Sequence, residues 1–232
     1  MPDKLDKNKL VVRCKRLPIT IDSDKLKNEI YSLADSFWGE TRSIVHTDVD
    51  ALFVKGYPPI QRKPDEERPA LQQLPYLREI IYDIIPGTPC KCVIAKLKPN
   101  GYVRMHRDGW INDPETDDTY FHDYFYSTIR LHIPVVTSPE ALFFDNGHFF
   151  HMPAGEVWAV NNTSDHAVIN DNPVLERTHI ILDMQPCDEL MQMLEKTPVA
   201  DGWINNEFLA RLMQDSSAPP VSPYAQGKPI PA

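Results

Sequence analysis

Residues 129–184 read IRLHIPVVTSPEALFFDNGHFFHMPAGEVWAVNNTSDHAVINDNPVLERTHIILDM, a series of short apolar runs separated by turn residues. Val, Ile, Phe and Trp, which favour strands, fill the runs. Asp145-Asn146-Gly147 and Pro153-Ala154-Gly155 have the composition of tight turns. The stretch therefore predicts six antiparallel strands, in the runs IRLHIPVV, ALFF, HFFHM, EVWAV, HAVIN and RTHIILDM.

Two more runs precede this stretch, KCVIAKLK at 91–98 and YVRMH at 102–106. Pro99-Asn100-Gly101 between them is a turn signal, so the pair predicts a β-hairpin. Eight short strands in close succession favour a double-sheet jelly roll. We therefore expect a mainly β fold with flanking α-helices.

Helical periodicity lies on both sides of the strand-rich part. Apolar residues recur at helical spacing in four segments, the first of which follows the capping residues Asp22 and Ser23. The predicted helices are 21–37, 74–85, 188–195 and 205–214, and a strand is predicted at 10–14. One domain is expected over 1–215, made of an N-terminal support (1–88), a β core (about 89–186) and C-terminal helices (187–215), followed by a disordered Ser/Pro/Ala-rich tail (216–232).

The composition narrows the class of protein. Hydrophobic residues make up 42% of the 232 residues and charged residues 25%, which are ordinary values for a globular domain. A net charge of −9 without a run of Lys or Arg argues against nucleic-acid binding, because phosphate neutralisation supplies most of that affinity. No signal peptide or membrane-spanning apolar run is recognised, so a cytoplasmic location without a membrane partner is expected. The four cysteines lack zinc-ribbon spacing and are expected to be reduced.

The run Arg104-Met105-His106-Arg107-Asp108 carries the first candidate metal ligands. Side chains two residues apart share a face of a strand, so Arg104, His106 and Asp108 are expected to point the same way. Two histidines and one carboxylate on one face of a metal ion form the facial triad of non-haem iron(II) oxygenases. His166, which follows a turn and opens a predicted strand, is the best candidate for the second histidine.

Polar and apolar residues also alternate within two other predicted strands. Arg177, His179 and Asp183 share one face of RTHIILD, and Arg130 and His132 share one face of IRLH. Polar groups on an inward face need a function, such as a dicarboxylate bound by Arg177. The alternative is that these faces point outward to water from half-exposed strands.

Four other histidines have weaker support as ligands. His148 and His151 are three residues apart in a predicted strand, so they lie on opposite faces, which favours core or surface roles over joint metal binding. His46 and His122 have no ligand-like neighbourhood and are expected at the surface.

The acidic and aromatic segment 109–124 interrupts the strand pattern. A long excursion of this kind within a compact domain is often functional, so the segment is predicted to be a lid over the site. Trp110 within it is a candidate wall of a substrate pocket, although aromatic residues beside a sheet more often serve packing.

Together these residues resemble the aspartyl/asparaginyl β-hydroxylase family, which includes bacterial free-proline hydroxylases. The likeness covers Ala95 to Met184, and LPYLREI at 74–80 extends it towards the N-terminus. It rests on motifs in family order: HRD at 106–108, IRLH at 129–132, FFHMPAGEVW at 149–158, His166, and RTHIILD at 177–183.

The resemblance implies a double-stranded β-helix of the jelly-roll, cupin-like kind. It implies three co-reactants: Fe(II), 2-oxoglutarate and O2. The residues implied to hold the metal and carry catalysis are His106, Asp108 and His166. Arg177 would bind the distal carboxylate of 2-oxoglutarate, and His132 would contact the end nearest the metal.

The substrate-binding residues are also inferred from the resemblance. Arg130 stands where the family grips a substrate carboxylate, which implies an amino-acid substrate, free or within a peptide. The expected substrate-binding residues are Arg130, Trp110 and Arg104. The implied reaction hydroxylates a C–H bond and converts 2-oxoglutarate to succinate and CO2.

Three positions differ from the animal aspartyl β-hydroxylases. Asp108 replaces a glycine there, which brings this chain nearer to the bacterial members, and Ala95 replaces a serine. Thr128 replaces an arginine, so recognition of an acidic side chain is not supported. The alternative function is a non-catalytic, cupin-like protein that binds a metal or a small ligand.

Overall fold

The computed structural model describes residues 4–40, 44–58, 65–108 and 119–214. Most of the predicted lid, including Trp110, and the predicted disordered tail lie outside these ranges, as does the side chain of His122. The strands are β1 (Lys15–Thr20), β2 (Val49–Lys55), β3 (Thr88–Leu97), β4 (Tyr102–His106), β5 (Ile129–Val136), β6 (Ala141–Asp145), β7 (His148–His151), β8 (Glu156–Val160), β9 (His166–Asn170) and β10 (Arg177–Gln185). The α-helices are α1 (Lys7–Leu10), α2 (Ser23–Tyr31), α3 (Pro75–Glu79), α4 (Thr119–Ser127), α5 (Asp188–Lys196) and α6 (Asn206–Gln214).

The strands form two antiparallel sheets. The larger sheet has the order β1-β8-β5-β10-β3-β2, and the smaller has the order β4-β9-β6-β7. One apolar cluster contains side chains of both sheets, among them Leu97 and Trp158 from the larger and Phe143 and Val168 from the smaller. The two sheets therefore pack face to face, which confirms the predicted jelly roll.

Helices cover the outer faces of both sheets. Leu26 of α2 and Leu77 of α3 belong to the same buried cluster as Leu131 of β5 and Leu182 of β10. Every residue of β5 is buried, and so is every residue of β10 except Gln185. The interpretation that polar residues of these strands face water is therefore wrong, because both faces of the larger sheet are covered.

The predicted helices are confirmed, with 21–37 observed as α2 followed by a 3-10 turn at Asp35–Phe37. Helix α3 continues into a π-helical turn at Ile80–Ile84. The strand predicted at 10–14 is wrong. Asp6 caps α1 by accepting a hydrogen bond from the Lys9 backbone N–H, and the first strand begins only at Lys15.

The predicted hairpin between β3 and β4 is also wrong. Strand β3 lies between β10 and β2 in the larger sheet, whereas β4 pairs with β9 in the smaller one. The turn at 99–101 therefore carries the chain from one sheet to the other. Gly101 is required in it, since a Cβ there would lie 2.9 Å from the Lys98 carbonyl oxygen.

Two further observations bear on the class of protein. All four cysteines are free thiols, as predicted. In the ranges that the structure covers, no helix combines the length and the apolar character that crossing a membrane requires.

Candidate metal centre

Two paired strands of the smaller sheet bring His106 and His166 together. His106 ends β4, His166 begins β9, and the two residues are partners in the antiparallel register, with ring centroids 4.1 Å apart. Asp108 follows two residues after His106, and its Oδ1 lies 3.9 Å from His106 Nε2. Candidate ligand atoms of the three buried side chains lie within 4.8 Å of one another, and within the described ranges no other group of His, Cys, Asp or Glu converges in this way.

Backbone carbonyl groups orient both imidazole rings. His106 Nδ1 lies 2.7 Å from the Arg104 carbonyl oxygen, and His166 Nδ1 lies 3.0 Å from that of Ser164. A carbonyl oxygen only accepts hydrogen bonds, so each Nδ1 carries the proton and each Nε2 keeps its lone pair. This is the arrangement by which a protein orients histidine ligands of a metal.

Three contacts hold Asp108 in place. Its backbone N–H donates to the Asn162 carbonyl oxygen at 2.8 Å, and the Asn162 Nδ2 donates to Oδ2 at 3.1 Å. The Arg130 Nη1 also donates to Oδ2. Burial alone would raise the pKa of Asp108, but the Arg130 guanidinium holds this pKa well below its ordinary value. Two imidazoles and one ionised carboxylate are a donor set that fits a divalent transition metal.

The alternation predicted for β4 is broken at this site. The register of β4 against β9 shifts between Val103 and His106, which indicates a β-bulge. Val103 and His106 consequently both line the interior, and the Arg104 side chain is exposed. The prediction that Arg104 shares the face of His106 is wrong, although the Arg104 carbonyl group orients the histidine.

A cavity between the sheets is lined by two of the three candidate ligands, His106 and His166. Its walls include the predicted Arg130, His132 and Arg177, and its remaining lining is His46, Val49, Ala95, Leu97, Val103, His106, Phe143, His166, Val168 and Ile181.

Among the lining residues that were not predicted, two place a ring beside a candidate ligand. The half-buried His46 lies edge-on to His106, with centroids 5.1 Å apart, so its predicted surface role is wrong. Phe143 stacks on His166 at 6.1 Å. Nothing in the sequence pattern around His46 indicated this position, because it comes from a short 3-10 turn far from the histidine motifs.

Arg177 is buried at the cavity, and no carboxylate of the described residues pairs with it. Its side chain is 4% exposed, and its Nη2 lies 2.9 Å from His179 Nδ1. No acidic side chain of the described residues forms an ion pair with it, and burial lowers the pKa of Arg177 to about 9. A buried guanidinium is costly without an anion, so this position is suited to bind a carboxylate.

Arg130, in contrast, contacts two carboxylates. Its Nε and Nη2 donate to Oδ1 and Oδ2 of Asp183 at 2.7 and 2.8 Å, and its Nη1 donates to Asp108. Asp183 also accepts a hydrogen bond from the Tyr124 hydroxyl at 3.0 Å. The register of β5 against β10 pairs Arg130 with Asp183 directly, so the contact follows from strand pairing.

His148 and His151 lie in β7, outside this centre. His148 Nε2 lies 2.9 Å from Arg13 Nη1, and neither histidine joins a group of metal-ligating side chains within the described ranges.

The family model described as Aspartyl/Asparaginyl beta-hydroxylase matches residues 51–186, more than half of the chain. Two curated relatives from Streptomyces sp are similar. L-proline cis-3-hydroxylase 1 is 30% identical over 114 residues, which are 49% of this chain and 36% of the relative. L-proline cis-3-hydroxylase 2 is 27% identical over 135 residues, 57% of this chain and 43% of the relative. The matched part thus spans less than half the length of either relative.

A crystal structure of an oxidoreductase of the 2OG-Fe(II) oxygenase family from Burkholderia pseudomallei has the same fold. It superposes with a TM-score of 0.51 at 12% identity and covers 77% of this chain and 86% of that one. At this level of identity the likeness concerns the fold alone.

Proposed function

The chain belongs to the aspartyl/asparaginyl β-hydroxylase family, and on this basis we propose that it is an Fe(II)- and 2-oxoglutarate-dependent dioxygenase. It hydroxylates a C–H bond of an amino acid, free or within a peptide, and releases succinate and CO2. His106, Asp108 and His166 hold the metal in this proposal.

The observation that carries the proposal is the position of Arg177. A cation with no acidic partner in the described residues lines the same cavity as His106 and His166, two of the three convergent candidate ligands. A dicarboxylic co-substrate satisfies both features, since one end binds the metal and the distal carboxylate binds the guanidinium. His132, which lines the same cavity, is proposed to contact the co-substrate end nearest the metal.

Bound Fe(II), together with 2-oxoglutarate and O2, supplies the oxidising power that attacks an unactivated C–H bond. The residues of the chain bind, orient and exclude water. Ala95, Leu97 and Val168 give the cavity an apolar lining beside the charged groups, which strengthens the electrostatic contacts made there. The carbonyl groups of Arg104 and Ser164 keep both imidazoles in the tautomer that ligates a metal.

The proposed substrate is a small amino acid, with L-proline the first to test. The two relatives from Streptomyces are named as L-proline cis-3-hydroxylases, and they support this choice. Arg130 and Trp110 remain candidate substrate contacts. Arg104 is a weaker one, because its side chain is exposed.

The test is a turnover assay with anaerobically purified, Fe(II)-loaded protein. We expect oxygen-dependent succinate formation from 2-oxoglutarate that rises with one member of a free amino-acid panel, whose mass increases by one oxygen atom. His106→Ala removes a proposed ligand and abolishes turnover, whereas the matched control His148→Ala, outside the metal group, retains it. Succinate formation that is equal in wild type and His106→Ala would refute the assignment of the metal ligands.

A further inference from the structure

A line of buried polar contacts runs from helix α1 to the metal centre. Lys7 in α1 is only 2% exposed, and its Nζ donates to Asn162 Oδ1 at 2.7 Å. Asn162 is 1% exposed, and its Nδ2 donates to Asp108 Oδ2. A lysine is rarely buried to this extent unless it has a specific partner.

The chemistry of Asp108 fixes the orientation of the Asn162 amide. An ionised carboxylate only accepts hydrogen bonds, so the amide group that faces Asp108 has to be the NH2. The amide oxygen must then face the opposite way, where Lys7 donates to it. Lys7 therefore stabilises the same amide orientation that Asp108 requires.

The donors around Asp108 are not shared equally between its two oxygens. Oδ2 accepts from both Asn162 and Arg130. Among the described residues no donor reaches Oδ1, which is the oxygen that lies 3.9 Å from His106 Nε2. This asymmetry keeps Oδ2 engaged with the protein and leaves Oδ1 for a metal.

Helix α1 is held where Lys7 can make this contact. The Leu5 backbone N–H donates to the Tyr126 carbonyl oxygen at 2.8 Å, and Asp6 caps the helix. Lys9, on the same helix, is exposed. Residues 4–10 lie outside the region matched by the family model, so the contact is contributed by a segment beyond the shared core.

We propose that Lys7 is a positioning residue of the metal centre: through Asn162 it fixes Asp108 with one carboxylate oxygen available for the metal. The inference rests on the proposed metal binding by His106, Asp108 and His166. It assigns to α1 a part in metal affinity, although no residue of this helix belongs to the group of candidate ligands.

The test compares Co(II) binding by wild type, Lys7→Met and Lys9→Met, with affinity measured by calorimetry and the ligand field by visible absorption. Loss of a second-layer partner of a ligand typically weakens metal affinity about 10- to 100-fold, and for Lys7→Met, one contact further away, we expect about tenfold. Lys9→Met makes the same substitution on the exposed side of the helix and should leave the affinity unchanged. Lys7→Gln, which keeps a neutral donor, should recover part of the lost affinity and the wild-type absorption.

The outcomes separate this inference from the proposed function. If wild type binds no Co(II), the metal centre itself falls, and the role of Lys7 with it. If wild type binds and Lys7→Met binds within twofold of Lys9→Met with the same absorption, only the role of Lys7 is overturned. Thermal unfolding of the metal-free proteins checks folding. Should Lys7→Met fail to fold, Asn162→Ala and Lys7→Gln decide, and unchanged affinity in both overturns the inference.

Discussion

His106 and His166 face each other across β4 and β9, and each ring hydrogen-bonds through Nδ1 to the carbonyl group two residues before it. The two rings are thus oriented by equivalent contacts on neighbouring strands. Each contact leaves the lone pair of Nε2 available for a metal. The sheet therefore orients the two histidines without a metal, and Asp108 completes the group of candidate ligands.

Metal binding should raise thermal stability only when this group is intact. A ligand that binds only the folded state stabilises it by about 2.7 kcal/mol at a hundredfold excess over its Kd. We expect excess Mn(II) to raise the Tm of wild type and of His148→Ala but not that of His166→Ala. Differential scanning fluorimetry measures the Tm of each protein. An equal rise in all three would mean that Mn(II) binds elsewhere.

Replacing Arg177 should weaken co-substrate binding without large loss of stability. A hydrogen bond to a charged group contributes about 1.5–3 kcal/mol, so Arg177→Met should bind 2-oxoglutarate about 10- to 100-fold more weakly. The lost hydrogen bond to His179 is offset by the removal of a buried cation that pairs with no carboxylate in the described part of the chain. Calorimetric titration measures the affinity, with Arg211→Met, at an exposed Asp171 pair, as the control. Equal affinities in both variants would exclude the proposed contact.

Breaking the ion pair of Arg130 and Asp183 should, in contrast, cause a large loss of stability. Removing one partner of a buried ion pair costs about 3–5 kcal/mol, because the other charge stays buried. Asp183→Ala should therefore lower the free energy of unfolding by several kcal/mol, measured with urea, whereas Asp171→Ala at the surface should change it by about 1 kcal/mol or less. Similar losses of unfolding free energy in the two variants would show that the buried pair stabilises the fold no more than the surface pair does.

Asp145 should give stability an unusual pH dependence. It is fully buried, Ser164 Oγ and Cys14 Sγ donate to its two oxygens, and burial raises its pKa from 3.8 to about 6. Between pH 4 and 6 the Asp145 carboxyl group binds a proton more tightly in the folded state than in the unfolded state. The contribution of Asp145 to the free energy of unfolding therefore falls as pH rises.

The loss in the free energy of unfolding caused by ionised, buried Asp145 is fully present above pH 6 and amounts to roughly 3 kcal/mol. We expect the difference in stability between Asp145→Asn and wild type to change across this window in urea titrations. The exposed control Asp201→Asn should show no such change. Parallel curves for wild type and Asp145→Asn would contradict the assignment.

Much of the fold and of the candidate metal centre could be predicted because it depends on local patterns. The runs around His166 and Arg177 alternate clearly, and their strands formed as expected. The face of β4 on which Arg104 lies was predicted wrongly because the sequence does not show the β-bulge. A bulge reverses the face of every residue before it relative to the residues after it.

Contacts over long sequence distances could not be predicted. His46 in a 3-10 turn contacts His106, and Lys7 donates to Asn162, which is 155 residues away along the chain. The prediction of a hairpin at 99–101 was wrong for a related reason. A turn signal shows that the chain reverses but not which sheet it enters. The pairing of Arg130 with Asp183 depends on the register of β5 against β10, which the sequence pattern leaves open.

The most direct test of the account is an anaerobic titration of the Fe(II)-loaded protein with 2-oxoglutarate, followed by visible absorption. When 2-oxoglutarate chelates Fe(II) a charge-transfer band forms, so the titration reports the metal and the co-substrate together. We predict a saturable band in wild type, a band that needs far more 2-oxoglutarate in Arg177→Met, and none in His166→Ala. A wild-type protein that retains Fe(II) but shows no band, or a band of full intensity in His166→Ala, would contradict the assignment of this centre.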